Sequence, residues 1–308
     1  MGCMCGKEAI AVGDKRYYIR SRLGEGGFSY VDLVEETTTH KVYALKRLTC
    51  HSKEEEQVAL QEVEVMKNLR HPNLVPLVAH SVLKVGHHSK TLDIVSEVFI
   101  IMPLYSRGSI QDKIESLSKR SEKMAESEIW RIFLGMCQGV SSMHNHDPPY
   151  AHRDIKPGNV MLAEDGTPVV MDLGSATKAR VLPKNLREAT TLQDTAAERC
   201  SMLFRAPELF TVQTNVSIDE RSDIWSLGCT LYAMAYLEAP FERVYQTGGS
   251  IALAAMSGKL DFPEGAGYST SLQDMISCLM TVEQSERPFI NQVIQRVETF
   301  QHSAENRV

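Results

Sequence analysis

The sequence predicts an α+β fold: a small, mainly antiparallel β portion interrupted by one key helix, then a larger portion that is mainly α. Two observations predict it. Short segments rich in β-branched and aromatic residues, punctuated by turn signals, occupy 17–48 and 92–102. From about residue 108 the apolar spacing becomes helical, most plainly in Ile129, Ile132, Phe133, Met136, Val140 and Met143, which share one face. At 308 residues and 43% apolar, with no repeats or low-complexity linkers, the chain can bury a large core.

The first strands enclose a glycine cluster, Leu23-Gly24-Glu25-Gly26-Gly27-Phe28-Ser29-Tyr30-Val31. Glycine admits positive φ and lets backbone N–H groups approach a phosphate with no Cβ in the way. No helix follows, which excludes a dinucleotide fingerprint and a Walker loop; alone, the cluster fits an ordinary hairpin turn equally well. The next strand runs Tyr43-Ala44-Leu45-Lys46, and Lys46 can hold phosphate oxygens if an acid positions it. That acid is expected on the key helix. Ser52 and Glu55 have capping-box spacing, Glu54 to Glu56 suit the positive N-terminal dipole, and the helix should stop before His71-Pro72. Glu62 shares an apolar stripe with Val58, Val65, Met66 and Leu69, and an acid in such a stripe needs a partner, which Lys46 supplies.

The strongest signal is His152-Arg153-Asp154-Ile155-Lys156-Pro157-Gly158-Asn159, followed by the apolar strand Val160-Met161-Leu162. Six specified residues at about 5% each arise by chance in a chain of this length with probability below about 10⁻⁵. The spacing lets Asp154 accept a proton from a hydroxyl and lets Asn159 reach a metal on a nucleotide. The strand Val169-Val170-Met171 then delivers Asp172-Leu173-Gly174, a carboxylate suited to Mg²⁺, a hard ion that prefers oxygen. Arg205-Ala206-Pro207-Glu208, Asp223-Ile224-Trp225-Ser226-Leu227-Gly228 and Arg287-Pro288 complete the series.

In these residues, from about 17 to 300, the chain resembles the eukaryotic protein kinases. The resemblance implies a two-lobed kinase fold, with a small lobe at 17–102, a hinge at 103–107 and a large lobe at 108–300, between an N-terminal segment at 1–16 and a tail at 301–308. ATP would bind between the lobes. The loop Leu23 to Val31 would cover its phosphates, with Ala44, the gatekeeper Met102 and the hinge residues Pro103, Leu104 and Tyr105 around the adenine. The catalytic set would be Lys46 paired with Glu62, Asp154 as base, and Lys156 on the γ-phosphate. Asn159 and Asp172 would hold Mg²⁺, with Mn²⁺ as the other candidate. Glu208 should pair with Arg287, and Asp223 should brace the 152–159 segment. Lys156 and Ser201 are the pattern of kinases that modify Ser and Thr of proteins. Two departures leave every catalytic group in place: Ser29 stands where a third glycine is usual, and Leu173 where D-F-G has Phe.

The stretches Gly24 to Val31, Met171 to Ser175 and Thr191 to Arg199 are similar to the Numb-associated kinase family, in particular its fatty-acylated member. That likeness implies an extra helix at 191–199. It also implies N-terminal acylation, Golgi or perinuclear membranes with a cytosolic pool, and a role in secretory traffic.

The N-terminus Met1-Gly2-Cys3-Met4-Cys5-Gly6 offers Gly2 for myristoylation and Cys3 and Cys5 for palmitoylation, although Gly6 stands where Ser or Thr is preferred. One myristoyl chain binds membranes only marginally, so a second acyl group is needed for anchoring. The net charge of −6, with acids and bases interleaved, excludes a nucleic-acid footprint. Seven scattered cysteines with no C-x-x-C pair and no secretory leader suggest a reducing compartment. The longest apolar runs fall far short of the roughly 20 residues that span a bilayer. His87, His88, His144 and His146 lack ligand spacing and are expected in loops. A monomer is the working expectation, and the competing class is a membrane-tethered pseudokinase scaffold.

Overall fold

The computed structural model describes residues 9–26, 29–84, 94–263 and 265–305, the last five as backbone only. Gly2, Cys3, Cys5, Gly27, Phe28, His87 and His88 lie outside the described residues. The chain forms two compact units, one reaching His71 and resuming over Val75–Tyr105, the other comprising Pro72–Leu74 and the chain from Ser106 onward.

The first unit is a six-stranded antiparallel sheet with one helix. Strands β1 (Ala9–Val12), β2 (Lys15–Gly26), β3 (Ser29–Glu36) and β4 (Val42–Cys50) precede helix α1 (Lys53–Asn68), and β5 (Ala79–Lys84) and β6 (Ser96–Pro103) follow, in the spatial order β1-β2-β3-β4-β6-β5. The period-two rule is visible in β3, where Asp32, Val34 and Glu36 are buried and the residues between them are not. The sheet curls until its ends touch: the Ser81 hydroxyl donates to the Ala11 carbonyl at 3.4 Å. Inside the curl Val12, Tyr17, Val34, Leu45, Phe99 and Ile101 form a dry core.

Helix α1 packs against β4 and β6. Its N-terminus differs in one detail from a capping box. The Ser52 hydroxyl accepts from the Glu55 N–H at 3.1 Å, but Glu55 returns to the N–H of His51 at 2.7 Å, one residue further back. Two strands were not foreseen. β1 lies within 1–16, the stretch expected to be the acylated N-terminal segment, and β5 has no apolar alternation to mark it, because Ala-His-Ser-Val-Leu-Lys is an edge strand exposed at its end.

The second unit is mostly helical. Helix α2 (Ile110–Lys119) starts with a complete Ser109–Asp112 capping box. Helix α3 (Glu126–His144) follows, with all six stripe residues from Ile129 to Met143 buried. Short strands β7 (Tyr150–Ala151), β8 (Val160–Leu162), β9 (Pro168–Val170) and β10 (Thr177–Lys178) pair as β7–β10 and β8–β9.

Helix α4 (Leu186–Arg199) contains the expected 191–199 helix and begins earlier, where the Asn185 side chain accepts from the Glu188 N–H. Helix α5 (Arg221–Tyr236) is buried from Ser222 to Ala235. A Cβ at Gly228 would fall 2.7 Å from Met280, so glycine there permits the approach of the chain following α8. Helices α6 (Glu242–Gln246), α7 (Ile251–Ser257), α8 (Thr270–Leu279) and α9 (Ile290–Glu305) complete the unit, α8 on α5 and α9 on α3.

Candidate active site

In the first unit the glycine segment is the turn-proximal end of the β2–β3 hairpin, with Gly24 opposite Val31, Glu25 opposite Tyr30 and Gly26 opposite Ser29. Leu23, just before it, is exposed. Lys46 lies opposite Val31 on β4, two residues beyond Ala44, which is opposite Met102 on β6. Met102 and Ala44 are buried, and Pro103, Leu104 and Tyr105 are partly so. Burial pushes the Tyr105 hydroxyl above its ordinary value.

Lys46 and Glu62 are buried, and the ammonium donates to both carboxylate oxygens, at 2.8 and 2.9 Å. A bidentate pair of buried opposite charges offsets desolvation that neither side chain could bear alone.

In the second unit the 152–159 segment folds onto itself. The Asn159 amide donates to the backbone carbonyl of Asp154 at 2.8 Å and to its Oδ2 at 2.9 Å. The Lys156 ammonium lies 2.9 Å from the same Oδ2 and donates to the Ser201 hydroxyl at 2.7 Å, while the Ser201 N–H donates to Asp154 Oδ1 at 2.8 Å. Three residues therefore aim a nearly buried carboxylate. Because the Asn159 N–H₂ group is turned toward Asp154, its carbonyl oxygen can accept a cation. Asp172 has left-handed backbone, φ 58°, immediately before a 3₁₀ turn, and Arg153 has φ 69°. Non-glycine residues persist there only where their surroundings over-determine them, a common condition at reaction sites. Asn159 and Asp172 supply hard oxygens of the kind Mg²⁺ takes alongside phosphate.

The frame behind this segment is Asp223. It accepts from the N–H of His152 at 2.7 Å and of Arg153 at 2.9 Å, and its Oδ2 lies 3.0 Å from His144 Nε2. Burial by itself pushes this carboxyl up. The His144 hydrogen bond and the nearby Arg153 charge outweigh burial and hold it below its ordinary value. His152 is fully buried; its Nδ1 accepts from the Asp154 N–H, which leaves Nε2 to donate to the Met171 carbonyl at 2.9 Å. Glu208 and Arg287 form a bidentate pair at 2.8 and 2.7 Å, as expected.

His144 corrects the sequence reading. It is the last residue of α3, buried against Asp223, and not a loop residue. The signal was available: it lies one turn after Val140, on the same buried stripe. The 310 turn after Ser201, which presents that residue's N–H to Asp154, had no signal of its own.

A protein kinase domain family model matches residues 17–297. The chain belongs to the protein kinase family. Curated relatives place this kinase with the serine/threonine-specific members. It is 40% identical to human serine/threonine-protein kinase 16 over 98% of this chain and 96% of that protein. It is 39% identical to the mouse protein of that name over the same shares. It is 31% identical to serine/threonine-protein kinase ENV7 of Saccharomyces cerevisiae over 92% of each chain.

Proposed function

We propose that this chain transfers the γ-phosphoryl group of ATP to Ser and Thr hydroxyls of protein substrates. The observation that carries the reading is the Asp154 carboxylate, aimed by Asn159, Lys156 and the Ser201 N–H within 2.9 Å. In this reading Asp154 orients the substrate hydroxyl and accepts its proton, and Lys156 neutralises charge on the transferring group. Glycine-segment N–H groups and Lys46, held by Glu62, orient the phosphates, and Ala44, Met102 and Pro103 to Tyr105 receive the adenine. Asn159 and Asp172 would hold Mg²⁺, which would supply neutralisation of the phosphate charge.

The test is transfer of label from γ-labelled ATP to a generic protein substrate by the wild-type chain and by Asp154→Ala. Label on Ser or Thr that is abolished in the variant is expected. Nucleotide binding without transfer in the wild type would favour a pseudokinase scaffold instead.

Within the kinases we place the chain in the Numb-associated family. Helix α4, which spans the extra helix expected at 191–199, supports this. The buried Arg153 guanidinium donates from its two terminal nitrogens to the Ser222 hydroxyl at 2.6 Å and the Ala179 carbonyl at 2.9 Å, which supports a segment held by packing without a phosphate. Activity should survive phosphatase treatment; strict dependence on phosphate at Thr190, Thr191 or Thr195 would refute this.

The same reading has Gly2 myristoylated and Cys3 and Cys5 palmitoylated, attaching the kinase to Golgi and perinuclear membranes in secretory traffic, with a cytosolic pool. Among the described residues no helix is long and apolar enough to cross a membrane, so attachment of that kind would rest on lipid. Gly2→Ala should move the kinase from membrane to soluble fractions, and unchanged fractionation would remove this part of the proposal.

A further inference from the structure

The β2–β3 hairpin has register shifts between Ile19 and Ser21 and again between Arg22 and Gly24, the second at the root of the glycine segment. A shift of this kind leaves one residue unpaired and breaks the ladder. Here Leu23 has no partner, and beyond it the Gly24–Gly26 pairs continue with no side chain on the glycines to fix their register.

One side chain spans the break. Arg22 is opposite Asp32 and donates from Nε to Asp32 Oδ1 at 2.5 Å, while its guanidinium carbon lies 4.2 Å from the centre of the Tyr30 ring. Asp32 precedes the irregularity, and Tyr30, paired with Glu25, lies beyond it. The clamp continues inward: Asp32 Oδ2 is 3.7 Å from Arg47, and Arg47 donates to Glu97 at 3.2 Å. The row Arg22–Asp32–Arg47–Glu97 thus crosses β2, β3, β4 and β6. By strand alternation it occupies the face opposite to that of Val31 and Lys46.

Asp32 is only 2% exposed. A buried carboxylate between arginines contributes little net stability compared with an apolar residue of similar volume, and the best-attested use of such a group is to specify register. We propose that Asp32 is a positioning residue for the nucleotide's phosphates. Through Arg22 and Tyr30 it sets the register in which the glycine-segment N–H groups meet them. The proposal rests on the kinase reading above.

The experiment is calorimetric titration of the full chain with Mg·ADP and with adenosine, which lacks phosphates, together with steady-state kinetics. Asp32→Asn keeps the shape and removes the charge. It should weaken ADP and raise KM for ATP about fivefold. Adenosine affinity and kcat should each change less than about twofold. Arg22→Lys keeps the charge but loses the planar fork and the stacking, and should fall between wild type and Asp32→Asn. Tyr30→Leu leaves the buried charges in place and should weaken ADP about threefold, which keeps the test open if the Asn variant folds poorly. Equal weakening of ADP and adenosine, or no weakening of either, overturns the proposal. A wild-type chain that binds no ADP would instead overturn the kinase reading itself.

Discussion

Each unit builds its functional group around a buried acid, and the two acids are mounted differently. Glu62 rides on α1, an amphipathic helix whose buried residues are limited to Ala59, Glu62, Val63, Val65 and Met66. Asp223 rides on α5, where every residue from Ser222 to Ala235 is buried, and it joins α3 and the 152–159 segment through His144, His152 and Arg153. A helix packed on one face can slide or tilt at modest cost; one enclosed on all sides cannot move without opening the core. The lesson is a division of labour. The Lys46–Glu62 pair rests on an element held along one face only. Asp223 is a fixed point against which Asp154 is aimed.

The largest expected effect tests the fixed point. Asp223→Ala leaves the N–H groups of His152 and Arg153 without an acceptor in a dry interior, and should cost about 3–5 kcal/mol of stability along with activity. Chemical denaturation measures it, and a loss below about 1 kcal/mol would break the comparison. Glu62→Gln should show the opposite profile. Transfer should fall about 100-fold, while the stability lost by leaving Lys46 without its carboxylate should be smaller than for Asp223→Ala, because α1 is packed on one face and can shift to let water reach the ammonium. Equal destabilisation by the two substitutions would mean that α1 is as rigidly mounted as α5.

A smaller effect concerns α4. Asn185→Ala removes its N-cap hydrogen bond and should cost about 1 kcal/mol, read as faster amide hydrogen exchange over the first turn of that helix. Spread of that loosening to the Asp154 segment would show that the fixed point depends on α4.

The smallest effect is in acid. The Asp223 carboxyl titrates below its ordinary value of 3.8. Its charge therefore contributes stability that is full above that value and is lost as pH falls through the depressed one. The stability gap between wild type and Asp223→Asn should be constant at neutral pH and narrow only below about pH 4. Narrowing that begins well above pH 4 would overturn the assignment of this effect to the Asp223 carboxyl.

Much of this was legible in the sequence, for identifiable reasons. Local periodicity located α1 and α3. Asp154 and Asn159 were readable from their spacing within one short segment, whereas the role of Lys156 came through the family resemblance. Glu208–Arg287 and Asp223 as a brace were legible only through the family resemblance, since nothing local links residues so far apart. β5 escaped because an edge strand with one wet end need not alternate. His144 escaped because an isolated histidine was weighed by spacing to metal ligands and not by its place on a buried stripe.

By itself, then, the sequence determined most of the element types and the protein kinase family, since these depend on period and on spacing within a segment. The tertiary structure decided which buried charged groups meet which partners: Asp223 with His144, Arg153 with Ser222 and Ala179, and Asp32 with Arg22 beside a break in the ladder. Such pairings depend on the path of the intervening chain, and a buried charge selects its partner only after folding has excluded water.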